Sequence, residues 1–177
     1  MTIIEKLIEE INNRYGENAE YILNDYDVKN EIGYLERRAV QNDEKSVEWA
    51  YKRVLNLAEN FNNNRLTPAT VKVGDGATIV YWSDRHAGTV IKKTKCSITI
   101  QRDKATLDPN FKPEFITGGF AAHCTNQDEQ TYTYEKDENG STYTFRWSKK
   151  RNRYQQGGSD YSIRAIKGRH EFYDYNF

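Results

Sequence analysis

The hydrophobic pattern of this chain changes its period once, near Thr67-Pro68, and this change limits the folds open to it. Before it, apolar residues recur every three or four positions, which is typical of amphipathic helices. From Thr70 onward they alternate, as in strands with one buried face. We therefore expect an α+β protein, with an N-terminal helical region over 1–66 and a β-rich domain over 67–177. The domain should be a small, strongly bent antiparallel sheet or a partly open β-barrel.

Start and stop signals locate the helices. Thr2 and Glu5 have capping-box spacing, and Ile4, Leu7 and Ile11 follow on one face of the helix that they would begin. The last helix is the most regular, and it should end in an asparagine-rich segment, because asparagine side chains compete for backbone hydrogen bonds. The predicted helices cover about 2–15, 18–23, part of 25–41 and 43–64.

The second region is divided by turn residues. Asn139-Gly140 tolerates positive φ, so it predicts a hairpin between the strands on either side of it. The segment 103–119 contains two X-Pro pairs, ends in Gly118-Gly119 and should be a long loop. The predicted strands are 70–73, 77–82, 88–93, 97–101, 131–135, 142–148 and 161–166.

Composition excludes several classes of protein. The two cysteines are too few for a disulfide scaffold or a four-ligand zinc site. Apolar runs fall short of the ~20 residues that span a membrane, so we expect a cytoplasmic protein that does not bind membranes. Acidic and basic residues balance at 26 each. Bulk charge therefore predicts no partner, although residues 145–170 contain eight basic residues and one acidic residue.

Asp84, Arg85 and His86 lie together at a predicted strand-to-strand turn, beside Trp82. Arginine offers a planar fork to phosphate or carboxylate, histidine titrates near neutral pH, and an adjacent aromatic ring gives a stacking surface. This is our first candidate binding cluster. The alternative is structural, with Asp84 closing an Asx turn and pairing with Arg85 to form the bend.

Two further basic segments are candidates for binding. Arg102 and Lys104 leave a predicted strand on either side of Asp103, where they could contact phosphates or simply form a charged strand end. The segment 145–169 interleaves aromatic residues with cations, as proteins that hold single-stranded nucleic acid do. Its candidate contacts are Lys149, Lys150, Arg151 and Arg153. Against this, Tyr143, Phe145 and Trp147 alternate along one strand, so their face should belong to the core and the cations should lie on a solvated face.

The sequence contains only weak matches to the residue patterns of catalytic and metal sites. His123 and Cys124 are adjacent, so on a strand they would point to opposite faces and rarely bind one ion. The carboxylates show no spacing that suggests paired acid–base chemistry. We therefore expect a protein that is not an enzyme, with no catalytic residue, no cofactor and no metal.

Several motifs in a fixed order carry a resemblance. They are Gly-Asp-Gly-Ala-Thr (74–78), Ser-Asp-Arg-His-Ala-Gly-Thr-Val-Ile (83–91), Gln-Arg-Asp-Lys-Ala-Thr (101–106), Arg-Trp-Ser-Lys-Lys (146–150) and Gly-Arg-His-Glu-Phe-Tyr-Asp-Tyr-Asn-Phe (168–177). Over about 71–177 the chain resembles a widespread, largely uncharacterised family of small phage and prophage proteins. The resemblance implies a mobile-element origin and an intracellular role in an infected or lysogenic bacterium. It implies no particular activity.

Accessory proteins of mobile elements often act by binding. By that analogy we expect an anti-defence protein, such as an inhibitor of a CRISPR nuclease, whose partner is a host protein or a protein–nucleic-acid complex. The alternatives are a nucleic-acid-binding module that uses segment 145–169 in direct contact with DNA or RNA, and a sponge for nucleotide signals. The acidic helical region, with 9 basic and 13 acidic residues over 1–66, could instead contact a basic groove of a protein. The sequence does not specify an oligomeric state.

Overall fold

The structure is a computed structural model that describes residues 1–118, 121–159 and 161–176. The described chain divides into two compact units. The helical unit contains Met1–Thr70 together with Lys149–Asn152, and the barrel unit contains Val71–Ser148 and the chain from Arg153 onward. The expected boundary at 66/67 thus differs by four residues, and one short segment of the second half belongs to the helical unit.

The helical unit has four α-helices: α1 (Ile3–Tyr15), α2 (Ala19–Leu23), α3 (Tyr26–Val40) and α4 (Glu44–Asn64). The predicted capping box is present, since the Thr2 hydroxyl accepts from the Glu5 N–H and the Glu5 carboxylate accepts from the Thr2 N–H. Asp25 and Asp43 cap α3 and α4 through their carboxylates, which accept from the Val28 N–H and the Ser46 N–H. The buried core of the unit includes Leu7, Ile11, Ile22, Val28, Leu35, Val54 and Phe61.

Asn18 and the asparagine-rich end of α4 are joined by tertiary contacts. Asn18 precedes α2 but makes no capping hydrogen bond. Its buried side chain donates to Asn62 Oδ1 at 2.9 Å and accepts from the Thr67 hydroxyl at 2.6 Å. Asn62 therefore has a tertiary partner in Asn18, and α4 ends at Asn64, within the asparagine-rich segment as predicted.

The barrel unit contains a closed six-stranded antiparallel barrel in the order β1-β10-β9-β8-β3-β2. Two further pairs, β4–β7 and β5–β6, form separate two-stranded sheets. The strands are β1 (Gly76–Val80), β2 (Arg85–Lys93), β3 (Ser97–Arg102), β4 (Lys104–Leu107), β5 (Phe115–Gly118), β6 (Ala121–Cys124), β7 (Tyr132–Glu135), β8 (Thr142–Ser148), β9 (Arg153–Gln155) and β10 (Arg164–Lys167). The expected α+β class is confirmed, and the sheet closes fully instead of remaining partly open.

Aromatic and β-branched residues fill the barrel core. Phe145 and Tyr154 are fully buried, and the Trp147 ring meets the Tyr154 ring edge-on with centroids 5.1 Å apart. The predicted core face of β8 is therefore confirmed. Gly88 lets β2 and β3 approach closely, because a Cβ there would lie 2.6 Å from the carbonyl oxygen of Gln101. Other buried side chains of the unit are Ala77, Ile79, Val90, Ile98, Ile100 and Ala165.

Three predictions about the strands are wrong. The expected hairpin around Asn139-Gly140 does not form, because β7 pairs with β4 and β8 pairs with β3 and β9. The turn is present, with the Gly140 N–H bonded to Asp137 O, but it joins two different sheets. The expected loop 103–119 contains β4 and β5, while its last residue lies outside the described ranges. Residues 70–73 form turns, since the Lys72 N–H donates to the Asp75 carboxylate at 2.7 Å.

The C-terminal segment Gly168–Asn176, here called the strap, runs along β1 and β2. Gly168 turns the chain at φ 87°, and the His170 N–H donates to the Thr78 hydroxyl. Arg85 and Phe172 then exchange two backbone hydrogen bonds of 3.0 Å. Several other polar contacts also fasten the strap, so it is part of the barrel unit. The last residue of the predicted aromatic tail, Phe177, lies outside the described ranges.

Candidate binding surface

A carboxylate of the strap organises one end of β2. Glu171 accepts from the Ala87 N–H at 2.7 Å and lies 2.9 Å from His86 Nδ1 and 3.3 Å from Arg102 Nη2. Its side chain is only 9% exposed. His86 and Arg102, which the sequence assigns to two separate clusters, therefore share one carboxylate within the protein.

The surroundings of Glu171 shift the pKa of its carboxyl group. Burial alone would raise its pKa, but hydrogen bonds from the His86 ring and the Ala87 N–H oppose this effect. The charges of His86 and Arg102 act in the same direction, and the pKa of Glu171 is lowered from 4.5. The carboxylate is thus ionised at neutral pH, where it is hydrogen-bonded to the His86 ring and paired with the Arg102 guanidinium.

A second buried carboxylate lies between β3 and β4. Asp103 accepts from the Thr89 hydroxyl at 2.8 Å and from Arg169 Nε at 2.6 Å. Arg169 also donates to the Thr89 hydroxyl at 2.8 Å, so the three side chains form a closed group. Four of the sequence segments that carry the resemblance therefore meet around the strap, and many of their charges serve internal contacts.

The predicted cluster at 84–86 is divided by the structure. Arg85 and His86 are the first residues of β2 instead of turn residues. The Asp84 carboxylate accepts from the Asp174 N–H at 3.0 Å, and it fixes the strap. Arg85 is exposed, with its guanidinium 5.6 Å from the centre of the Phe172 ring. Of the three, Arg85 is the residue directed towards solvent.

Trp82 lies on an exposed surface that the structure completes with residues the sequence did not single out. It is 74% exposed, and its ring lies 5.4 Å from the ring of Tyr161, which is 79% exposed. Together with Arg85 and Arg164 the two rings line a cleft of about 300 Å³. We call this the aromatic cleft; its remaining lining residues are Val80, Tyr81, Ser83, Ser162 and Ile163.

Tyr81 lines the aromatic cleft and also contacts aromatic rings of β2 and β8. Its ring meets the rings of His86 and Tyr143 edge-on, with centroids 5.3 and 6.5 Å away. Burial, with a hydrogen bond to Tyr143, raises the pKa of Tyr81 to about 12. The Tyr81 hydroxyl therefore stays neutral under ordinary conditions and contributes shape and hydrogen bonding instead of charge.

The other candidate cations are spread over the chain. Lys104 is exposed at the start of β4, with its ammonium 3.8 Å from the Glu135 carboxylate. Arg153 lies on β9 and donates to Gln155 Oε1 at 2.9 Å. Lys149, Lys150 and Arg151 belong to the helical unit.

Only part of the basic aromatic segment can stack with a ligand. Phe145 and Tyr154 are fully buried, and Trp147 packs on Tyr154. Tyr161 is the aromatic residue of this segment that is largely exposed, and it pairs with Trp82. The largely exposed aromatic side chain of this segment therefore lies at the aromatic cleft and not on β8 or β9.

Metal binding finds no support within residues 1–118, 121–159 and 161–176, where no group of three or more histidine, cysteine or acidic residues could hold an ion. The helices in these ranges also lack the combined length and hydropathy needed to cross a membrane. Comparisons with family profiles, with curated proteins and with solved structures found no match to this chain.

Proposed function

We propose that this chain is a non-enzymatic binding protein of a phage or mobile element, and that it acts on a host defence system through the aromatic cleft. The supporting observation is the exposure of Trp82 and Tyr161 beside two arginines. Tryptophan, tyrosine and arginine carry most of the binding energy in many interfaces. Phe145 and Tyr154 are buried in the barrel core, whereas Trp82 and Tyr161 are the most exposed aromatic side chains in the described part of the barrel unit, so this pair is available to a partner.

The mobile-element setting and the anti-defence role rest on the resemblance over 71–177 and on the analogy with accessory proteins. A partner within a CRISPR nuclease or a similar complex agrees with the arginines of the cleft, because such complexes present nucleic acid and acidic protein surfaces. The internal use of His86, Arg102, Asp103 and Glu171 leaves the aromatic cleft as the better-supported recognition surface.

Affinity capture from a bacterial lysate, with and without nuclease treatment, tests the proposal. Wild-type protein should retain a defence component, and Trp82→Ala combined with Tyr161→Ser should lose it. Two matched control changes lie in the helical unit, Trp49→Ala and Tyr26→Ser, at side chains that are 52% and 77% exposed. These controls should bind as wild type does.

The cellular readout is phage plating on a host with an active defence system. The wild-type chain should restore plating, and the cleft variant should not. Retention that is lost in the helical controls but kept in the cleft variant would move the interface to the acidic helical unit and contradict the proposal.

A further inference from the structure

We infer that the group recognised at this surface is a single strand of nucleic acid, bound along a row of arginines on the outside of the barrel. This inference rests on the proposed function and names the chemistry of its partner. The register of the barrel strands places arginines that are distant in sequence side by side.

The row follows from consecutive cross-strand pairs. Arg146 pairs with Gln155, and Gln155 pairs with Arg164 on its other side. Arg164 pairs with Val80, which in turn pairs with Arg85. Directly paired residues of neighbouring strands point to the same face of a sheet. Arg85, Arg146 and Arg164, here called the arginine row, therefore share one face.

That face is the outer surface of the barrel. Ile79 and Ala165, the neighbours of this row along their strands, are buried in the core, and side chains alternate along a strand, so the row lies on the opposite face. On that face Val80 and Gln155, which lie between the arginines, are covered by neighbouring residues. All three arginines are exposed. The residues that alternate with them in the row, together with Phe172 beyond Arg85, carry no negative charge.

The spacing of the row favours a polyanion. Neighbouring strands lie about 4.8 Å apart, so arginines two strands apart are separated by roughly 10 Å and the whole row extends for roughly 20 Å. One phosphate or carboxylate cannot reach all three guanidinium groups, whereas a chain of phosphates can contact each in turn. A free mononucleotide would use one end of the row only.

Aromatic stacking at one end of the row favours nucleic acid over an acidic peptide. Trp82 and Tyr161 share the aromatic cleft with Arg85 and Arg164. Their rings are inclined by 35° to each other and are largely exposed, so bases can stack on them while the arginines hold the backbone. Proteins that bind single strands without sequence preference combine these two elements, a positive track and stacking aromatic residues.

Fluorescence anisotropy of a labelled oligo(dT) of about 15 nucleotides, titrated with the full chain over a range of salt concentrations, tests the inference. Three phosphate contacts predict that log K falls with log salt with a slope of about −2. Arg164→Gln or Arg146→Gln should reduce that slope by about 0.7 and weaken binding. Trp82→Ala should weaken binding about 5- to 150-fold, the range expected for loss of one stacked base.

Matched controls are Arg37→Gln, an exposed arginine of α3, and Trp49→Ala. Both should bind the oligonucleotide as wild type does. Circular dichroism of each variant establishes that the fold is retained. An acidic peptide and a free mononucleotide serve as competitors, and each should displace the strand poorly.

The inference is overturned if the oligonucleotide does not bind at low salt, or if Arg37→Gln weakens it as much as Arg164→Gln does. Preferential displacement by the acidic peptide would assign the surface to a protein partner. If the strand fails to bind while capture of a defence component still depends on Trp82, the inference falls and the proposed function stands.

Discussion

Replacing Glu171 by glutamine is the most informative change within the barrel unit. Glutamine keeps the size of the side chain and an oxygen that accepts from the Ala87 N–H. It removes the negative charge that faces His86 Nδ1 at 2.9 Å and Arg102 Nη2 at 3.3 Å. The substitution therefore separates the electrostatic role of the carboxylate from its packing.

The expected loss of stability follows from these contacts. Hydrogen bonds to charged groups contribute about 1.5–3 kcal/mol each, and the amide of glutamine replaces part of that contribution. The Arg102 side chain is 42% exposed, so solvent weakens its share, whereas the His86 side chain is only 22% exposed. We expect Glu171→Gln to lower the free energy of unfolding by about 2 kcal/mol at neutral pH.

The loss should depend on pH in one direction. The pKa of Glu171 in the folded state lies below its ordinary value of 4.5. A carboxyl group with a lowered folded pKa stabilises the protein above its unfolded pKa, and this contribution disappears as pH falls through the folded pKa. The part of the difference between wild type and Glu171→Gln that comes from the charge of the carboxylate should therefore shrink as pH falls below 4.5.

The difference in free energy of unfolding is measured by urea unfolding followed by fluorescence. Changing Trp49 and Trp82 to phenylalanine restricts the signal to the barrel unit. Trp147 then remains as the reporter, packed on Tyr154. The control is Glu135→Gln, at a 74%-exposed carboxylate 3.8 Å from Lys104, and it should leave stability unchanged. Equal stability of wild type and Glu171→Gln at neutral pH, or a difference that persists in acid, would refute the reasoning.

Two further substitutions test how the two units are built. Gly88→Ala should destabilise the barrel by about 1–3 kcal/mol, because the new Cβ would lie 2.6 Å from the Gln101 carbonyl oxygen and would force β2 and β3 apart. Urea unfolding with the Trp147 reporter measures this loss of stability. Thr2→Ala removes the acceptor for the Glu5 N–H and should lower the stability of the helical unit by about 1 kcal/mol, measured by urea unfolding with Trp49 as the reporter. No loss in either case would contradict the corresponding contact.

The helical unit could be predicted closely because its signals are local. Thr2 and Glu5 are three residues apart and cap α1 as their spacing indicates. Asp43 likewise caps α4. Asn18 illustrates the limit, because its partners Asn62 and Thr67 are 44 and 49 residues away and no short window of sequence contains them.

The β-rich region shows the same limit more strongly. The positions of β1, β2, β3, β7 and β8 followed from alternation, but Asn139-Gly140 indicates a turn without specifying what its flanking strands pair with. Closing the barrel required β1 to pair with β10, whose residues lie far along the chain. The register of a sheet depends on such distant contacts, so the hairpin was predicted wrongly from a correct turn.

The candidate site was predicted in part. Trp82 and Arg85 were named from their neighbourhood in sequence, and the structure places both in the aromatic cleft. Tyr161 and Arg164 belong to the segment 145–169, which the sequence offered as a separate candidate. That they join Trp82 and Arg85 could not be predicted, because β1 and β10 pair only in the folded barrel. His86 was named as a binding residue, yet its ring is held by Glu171, 85 positions away.

The most direct test of the recognition surface is the emission of Trp82 as the single tryptophan, with Trp49 and Trp147 changed to phenylalanine, while an oligo(dT) is added. The Trp82 ring is 74% exposed, so bases that stack on it should quench its emission at low salt. The emission should recover as salt is raised, because the strand then dissociates. A second protein that keeps only Trp49 should show no change. Quenching of Trp49 with Trp82 unaffected would contradict the account and place recognition on the helical unit.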